Sequence, residues 1–447
     1  MRSRWTPRAV LPFLALSLGS CSDTTGLEDL TAVLLDFCAS DVPVSLAVNN
    51  FGSSTWTKVN PSADGTFSFQ AAEQVGIAIV HLDGGDYTTE FVFATTAELQ
   101  PLNGVACAEE AGPKVLNGTV ADVIADEAAW ISMARRTTDV VGPQTPFTLD
   151  NLPVGPLDLV AHREFFTTDG ATPDRVIVRR AQNLVSGATI TPTLDFGGGD
   201  SQDVPLHSLT VAGLTAGEDN YALLDFRTAT GTIHPFFTAS SFTAATQDYH
   251  GIPSGLTQSG DLHDLDVFAY APDGNSYRGI RQFHRLPGNQ TALLGAALTV
   301  PVISTAATSP HVRLRATLQA QAVYDDFVSV YYIQGNADLR VVVVTVTAAY
   351  LGAMPLQWDI AIPDMSNASV FPSAAGLQSG FSTTWYVDAF GGNVATFFGY
   401  PTDGASFQYA GRSSAVLTSE MARGSASRGG RPELRSPSMR RRALGGS

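Results

Sequence analysis

Short runs in which apolar and polar residues alternate with period two constrain this chain more than any other feature. They fall at 77–82, 157–161, 265–270, 327–333 and 358–362. Clusters of Gly, Pro, Asn and Asp separate them, so each run predicts a strand bounded by turns. Such strands hide one face only when a second sheet covers it. The most apolar later stretch, 339–354 (LRVVVVTVTAAYLGAM), is β-branched, alternates at Val342, Val344 and Val346, and contains Arg340. It is too short for a membrane helix and predicts a buried strand. One segment, 122–136, has early acids and late arginines, which suit a helix dipole; a strand is the preferred reading there too. The expected fold class is all-β, as tandem antiparallel β-sandwich modules, with less than about 10% helix. Leu157, Leu159, Leu265, Val267, Val344 and Val346 are expected to face module cores.

The chain repeats itself. Residues 147–184 run strand, Pro-Gly turn, alternating strand, Gly-bearing loop, strand. Residues 249–286 follow the same plan, which places Pro153 and Pro253 at equivalent turns. Fainter copies lie at 67–99 and 376–400. Copies begin about 80 to 120 residues apart, the size of a small β-sandwich. Modules are therefore expected at 27–112, 113–200, 201–305 and 306–420, with a disordered Arg-rich tail at 423–447 that cannot form a core.

The second copy resembles a known family. Val115-Leu116-Asn117-Gly118-Thr119-Val120, then Phe147-Thr148-Leu149 and Leu152-Pro153-Val154-Gly155-Pro156-Leu157-Asp158-Leu159, is similar to the carboxypeptidase-regulatory-like, transthyretin-like sandwich. Pro156-Leu157 stands where that family has an aromatic residue. The resemblance covers about 50 residues and implies an Ig-like or transthyretin-like structural and binding accessory, with no catalytic residues to transfer.

The amino terminus carries Arg2, Arg4 and Arg8, an apolar run at 9–18, and then Leu18-Gly19-Ser20-Cys21. The run is too short to span a bilayer and fits the core of an export signal. The small residues before the cysteine resemble the lipobox of bacterial lipoproteins. That resemblance implies a signal peptide at 1–20, cleavage before Cys21, and lipid on the Cys21 thiol and its new amino group. Ser22 stands where an aspartate favours inner-membrane retention, so the outer membrane is preferred over the inner. Cys38 and Cys107 then form an even pair in an oxidising compartment, which predicts a disulfide worth roughly 4 kcal/mol on the chain-entropy model.

Without leader and tail, the body holds 16 basic and 41 acidic residues, a net charge near −25. An acidic, exported body argues against nucleic-acid binding. The densest ligand-type cluster is Asp261, His263, Asp264 and Asp266; on a strand, His263 faces away from Asp264 and Asp266. It predicts a turn followed by the polar side of a strand, and it is too small for calcium. Asp195, Asp200 and Asp203 flank three glycines, a pattern more typical of a linker. Asp83-Gly84-Gly85-Asp86 predicts a hairpin turn. Eight histidines are scattered, and His81 and His162 suggest shared strand-edge packing. Neither HExxH nor GxSxG occurs. Tyr331-Tyr332 and Trp385-Tyr386 predict one inward and one outward ring each. No metal, cofactor or catalytic residue is expected.

The leading expectation is a lipid-anchored cell-envelope protein without catalytic activity, serving binding, adhesion or scaffolding. Its partners would be the membrane, through lipid, and an envelope protein or polysaccharide. The alternatives are an accessory lipoprotein of a carbohydrate- or peptide-degrading system, and an enzyme with an unrecognised site.

Overall fold

A computed structural model describes residues 31–35, 42–99, 115–392 and 401–414, apart from 52, 54, 64–65, 144, 168–169, 186–189, 243–245, 336–337 and 367–368. Cys21, Cys38, Cys107, the leader and the Arg-rich tail lie outside the described residues, so lipidation and the disulfide stand as expectations. Among the described residues the chain is all-β: 28 strands, one four-residue helix at Thr96–Leu99, and 3-10 turns at Ser254–Leu256 and Ser373–Ala375. None of these helices is long and apolar enough to cross a membrane.

One strand plan recurs four times. The first repeat holds β1 (Thr31–Leu35), β2 (Ser45–Asn50), β3 (Thr57–Val59), β4 (Phe67–Ala71), β5 (Gln74–Asp83) and β6 (Asp86–Thr95). The second holds β7 (Leu116–Ala121), β8 (Glu127–Met133), β9 (Arg136–Val141), β10 (Pro146–Leu149), β11 (Gly155–Thr167), β12 (Gly170–Leu184), β13 (Thr193–Asp195) and β14 (Gln202–Asp203). The third holds β15 (Leu206–Ala212), β16 (Asp219–Arg227), β17 (Ile233–Phe242), β18 (Thr246–His250), β19 (Leu262–Tyr270), β20 (Ser276–His284) and β21 (Gln290–Leu293). The fourth holds β22 (Val302–Ala307), β23 (Arg313–Gln319), β24 (Phe327–Gln334), β25 (Arg340–Thr347), β26 (Gln357–Ala361), β27 (Thr384–Gly392) and β28 (Ser406–Ser413).

In the second repeat the small sheet is β10-β7-β13 and the large one contains β12-β11-β8-β9; in the third they are β18-β15-β21 and β20-β19-β16-β17. The match is strand for strand, and β13 and β21 both run parallel to their repeat's first strand. Pro153 and Pro253 follow the fourth strand in each, as the repeat predicted. The first repeat has β4-β1 under β6-β5-β2-β3, and the fourth has β26-β23 under β28-β27-β24-β25. In the fourth, β22 flanks β23 antiparallel, so the expected cut near 306 falls inside a strand of the fourth repeat. The cut near 201 likewise parts β14 from β12, to which it is bonded.

The repeats are fused, not merely strung together. Three large sheets join edge to edge as one sheet of twelve strands, β17-β16-β19-β20-β28-β27-β24-β25-β6-β5-β2-β3. One seam is antiparallel, β20 to β28, and the other is parallel, β25 to β6. Joining edges removes the unpaired backbone groups that separate sandwiches would expose. At the first seam Tyr277 lies opposite Gly411 and Tyr409 opposite Gly279. A Cβ on Gly279 would come within 2.3 Å of the Tyr409 ring, so the glycines make room for the two rings.

The sheet packs on both faces, which explains strands buried along nearly their whole length, such as β19 and β24. Leu157, Leu159, Leu265, Val267, Val344 and Val346 are all buried, each worth about 1.5–3 kcal/mol. Segment 122–136 contains strand β8, and the predicted hairpin closes as Asp83 pairs with Asp86. Gly84 and Gly85 supply the positive φ values of 59° and 114° that this two-residue turn needs.

Candidate functional site

The strongest concentration of chemistry-bearing side chains sits where the third repeat crosses the second. Strand β17 lies over the outer face of β8, β11 and β12, and Val160 and Val176 of that face are built into the third repeat's core. Period two places His162 and Glu164 on this face of β11, with Trp130 and Ser132 beside them on β8. Opposite, β17 supplies His234. His162 Nδ1 and His234 Nε2 are 2.7 Å apart, and His234 Nδ1 is 2.8 Å from the Ser132 hydroxyl. Ser132 also meets the Thr137 hydroxyl at 2.7 Å. At the other end His162 Nε2 faces Glu164 at 3.6 Å, and Trp130 donates its indole N–H to Glu164 at 2.6 Å. Burial, with His162 nearby, pushes His234 well below its ordinary value.

The set has the residue types of a nucleophile, a base and an orienting acid. Its geometry does not offer them to a substrate. Ser132 and His234 are both 0% exposed, and the Ser132 hydroxyl and both ring nitrogens of His234 are already engaged by protein partners. What the arrangement does is fasten two repeats with polar bonds. A second fastener lies beside it. Arg180 of β12 reaches Asp158 at 2.9 Å and Asp261 at 2.6 Å. Thr232 donates to the Asp158 carbonyl at 2.6 Å, and Ala134 N–H donates to Thr232 at 3.0 Å.

The cluster at 261–266 corrects the expected polar, turn-side strand. Asp261, Leu262, His263, Asp264, Leu265 and Asp266 are all buried, because β19 and the turn before it are packed over on both faces. Asp264 accepts from Arg281 through both carboxylate oxygens and from Arg227 at 2.7 Å. Burial opposes the charge on Arg281, but Asp264 outweighs it and holds the pKa above the ordinary value. Arg281 also lies over the rings of Phe283 and Phe407, at 5.3 and 5.9 Å. Asp266 accepts from the Tyr409 hydroxyl at 2.6 Å, and Asp388 from Tyr277 at 2.8 Å, so both acids tie the third repeat to the fourth. His263 does face away from these acids: Ile252 N–H donates to its Nε2 at 3.0 Å, and its Nδ1 points to the carbonyls of His284 and Arg285. Those bonds suit the neutral ring, and burial lowers its pKa to about 4.

Other expectations change as well. The glycine-flanked acids are no linker: Asp200 and Asp203 bind Arg179 and Arg175 of β12, and Asp195 starts a turn by accepting from Gly197 N–H. His81 is half-buried near the end of β5, whereas His162 is buried within β11 and bonded to His234, so the two do not share edge packing. Tyr331 and Tyr332 are both buried, and Trp385 and Tyr386 are both half-buried. Two-sided packing of the long sheet removes the outward rings. Among the described residues no three His, Cys, Asp or Glu side chains are placed to hold a metal ion.

An open groove of about 380 Å³ lies between the edge strands β3 and β4. Val59 and Phe69 line its floor, and Lys58, Asn60, Ser68 and Gln70 its polar walls. No family model and no curated protein matches the chain.

Proposed function

We propose that this chain is a lipid-anchored, extracytoplasmic binding or scaffold protein of the cell envelope, without catalytic activity. The observation that carries this reading is the use made of its ionisable clusters. Asp158, His162, Asp261, Asp264 and Asp266 are buried and spent on bonds between strands and between repeats. Chemistry-bearing side chains used in this way favour a rigid support over a reaction centre. The strand plan supports kinship with transthyretin-like sandwiches, and the leader ending at Cys21 supports export and lipidation. The polar groove beside Lys58 is a natural place for an envelope polysaccharide or peptide to rest.

Cell fractionation tests the proposal. Wild-type protein is expected in the membrane fraction with a lipid-modified Cys21, and Cys21→Ser is expected in the soluble fraction. In a pull-down from envelope extract, the Cys21→Ser protein should retain a partner and Lys58→Ala should weaken its retention. A Cys21→Ser variant that stays membrane-bound, with an unmodified amino terminus, overturns the anchor. Turnover of a glycan or peptide by the purified protein overturns the non-catalytic reading.

A further inference from the structure

We propose that the His162–His234 pair is a proton-limited latch: it holds the second and third repeats together while the two imidazoles carry at most one added proton, and a second proton parts them. The 2.7 Å contact between Nδ1 of His162 and Nε2 of His234 requires one N–H and one lone pair. In the neutral pair His234 donates to His162, and Ser132 donates to His234 Nδ1. Glu164 accepts from Trp130, which leaves its second oxygen facing His162 Nε2.

One added proton fits. Because His162 accepts at Nδ1, its own proton already sits on Nε2, where it faces the Glu164 carboxylate at 3.6 Å. The added proton goes to Nδ1 and reverses the shared bond, so that His162 Nδ1–H donates to His234 Nε2, whose own proton moves to Nδ1. His234 Nδ1–H then donates to the Ser132 oxygen, and the Ser132 hydroxyl turns to Thr137. Both nitrogens of His234 and the two hydroxyls keep a partner, and the charge on His162 faces Glu164. A second proton does not fit. It sets N–H against N–H across 2.7 Å and places two positive rings with centroids 4.9 Å apart.

The surroundings offer that second charge no relief. Strand β17 adds Phe236, whose ring lies 5.1 Å from His162, and β12 adds Val176 and Val178. His250 on β18 stands close enough to His162 for their charges to repel. Farther along the face, Asp158 is held by Arg180, which Asp261 also binds. Glu164 is thus the carboxylate that faces the pair, and it balances one charge. Separation of β17 from β8 and β11 gives both rings water.

Trp130 reports on this junction because its indole bonds Glu164. The experiment is acrylamide quenching of the mature full-length chain from about pH 8 to about pH 4, with Trp130→Phe subtracted to isolate that residue. Quenching is expected to stay flat through the neutral range and then rise about twofold or more toward the acid end. Glu164→Gln should move the rise to higher pH by about one unit, since the first proton then lacks its balance. His234→Gln should abolish the rise, and His263→Gln should keep it. Should His234→Gln not fold, the direction of the Glu164→Gln displacement decides. A flat wild-type curve, a His234→Gln curve like the wild type, or a Glu164→Gln midpoint unmoved or lowered overturns the latch.

Discussion

Replacing Asp264 with alanine removes the carboxylate that Arg227 and Arg281 share inside the sheet. Asp264 is 1% exposed and Arg281 is 4% exposed, so neither reaches bulk water in the folded protein. Arg227 is nearer the surface and can turn outward, but Arg281 is fixed between the rings of Phe283 and Phe407. Its remaining acidic neighbours, Asp266 and Asp225, act on it more weakly than Asp264. Breaking a buried pair on one side is expected to cost about 3–5 kcal/mol, because it strands a charge in a poorly solvated site. The paired change Asp264→Leu with Arg281→Met removes both charges and fills similar volume. It should cost clearly less than Asp264→Ala alone, within about 1–2 kcal/mol of wild type. Urea unfolding near neutral pH, followed by far-ultraviolet circular dichroism, reads both. A loss below about 1 kcal/mol for Asp264→Ala would refute the reasoning, as would a double variant as unstable as the single one.

His263 gives a pH prediction whose sign follows from its environment. The unfolded chain takes up its proton near 6.5 and the folded chain only near 4. Stability from the neutral ring is therefore complete above about pH 6.5 and declines by about 3 kcal/mol as pH falls to about 4; His263→Gln should show a shallower decline in urea titrations across that window. At the seam between repeats, Gly279→Ala must displace the Tyr409 ring and with it the bond to Asp266. A loss of about 1–3 kcal/mol is expected by thermal unfolding, whereas an unchanged midpoint would mean the ring has room. Cys38 and Cys107 should appear as one linked peptide pair in an unreduced digest of exported protein. In the second and third repeats the chain returns beside the first strand after the sixth, and the same return in the first repeat is what such a bridge requires. Free thiols at both positions would count against it.

The strand plan was legible because its signals are local. Alternation at Leu157 and Leu159 or at Val344 and Val346, and turns at Pro153 and at Gly84-Gly85, depend on neighbours a few residues away. The long sheet was not legible, since β25 meets β6 and β28 meets β20 across more than a hundred residues, and no period in the sequence encodes an edge-to-edge seam. The burial of 261–266 depends on that same long-range assembly. A single sandwich would leave one face of β19 wet, so Asp264 and Asp266 suggested solvent. In the fused sheet the same alternation points them at Arg281 and Tyr409. His162 was equally opaque, because its partner His234 lies 72 residues away on another repeat. A signal was nonetheless present: arginines at 227 and 281 flank a strand dense in aspartates, and charge of both signs on adjacent interior strands is what a buried pair needs.

Fusion of three repeats through one twelve-stranded sheet is the central claim, and hydrogen exchange followed by mass spectrometry tests it most directly. Were the sandwiches separate, β6, β20, β25 and β28 would be edge strands, each with a row of amides open to water. In the fused sheet each has a neighbour on both sides. Peptides covering 86–95, 276–284, 340–347 and 406–413 are expected to exchange as slowly as those covering the interior strands β19 and β24. Fast exchange in those four segments, with β19 and β24 still protected, would show that the repeats stand apart and would contradict the fusion.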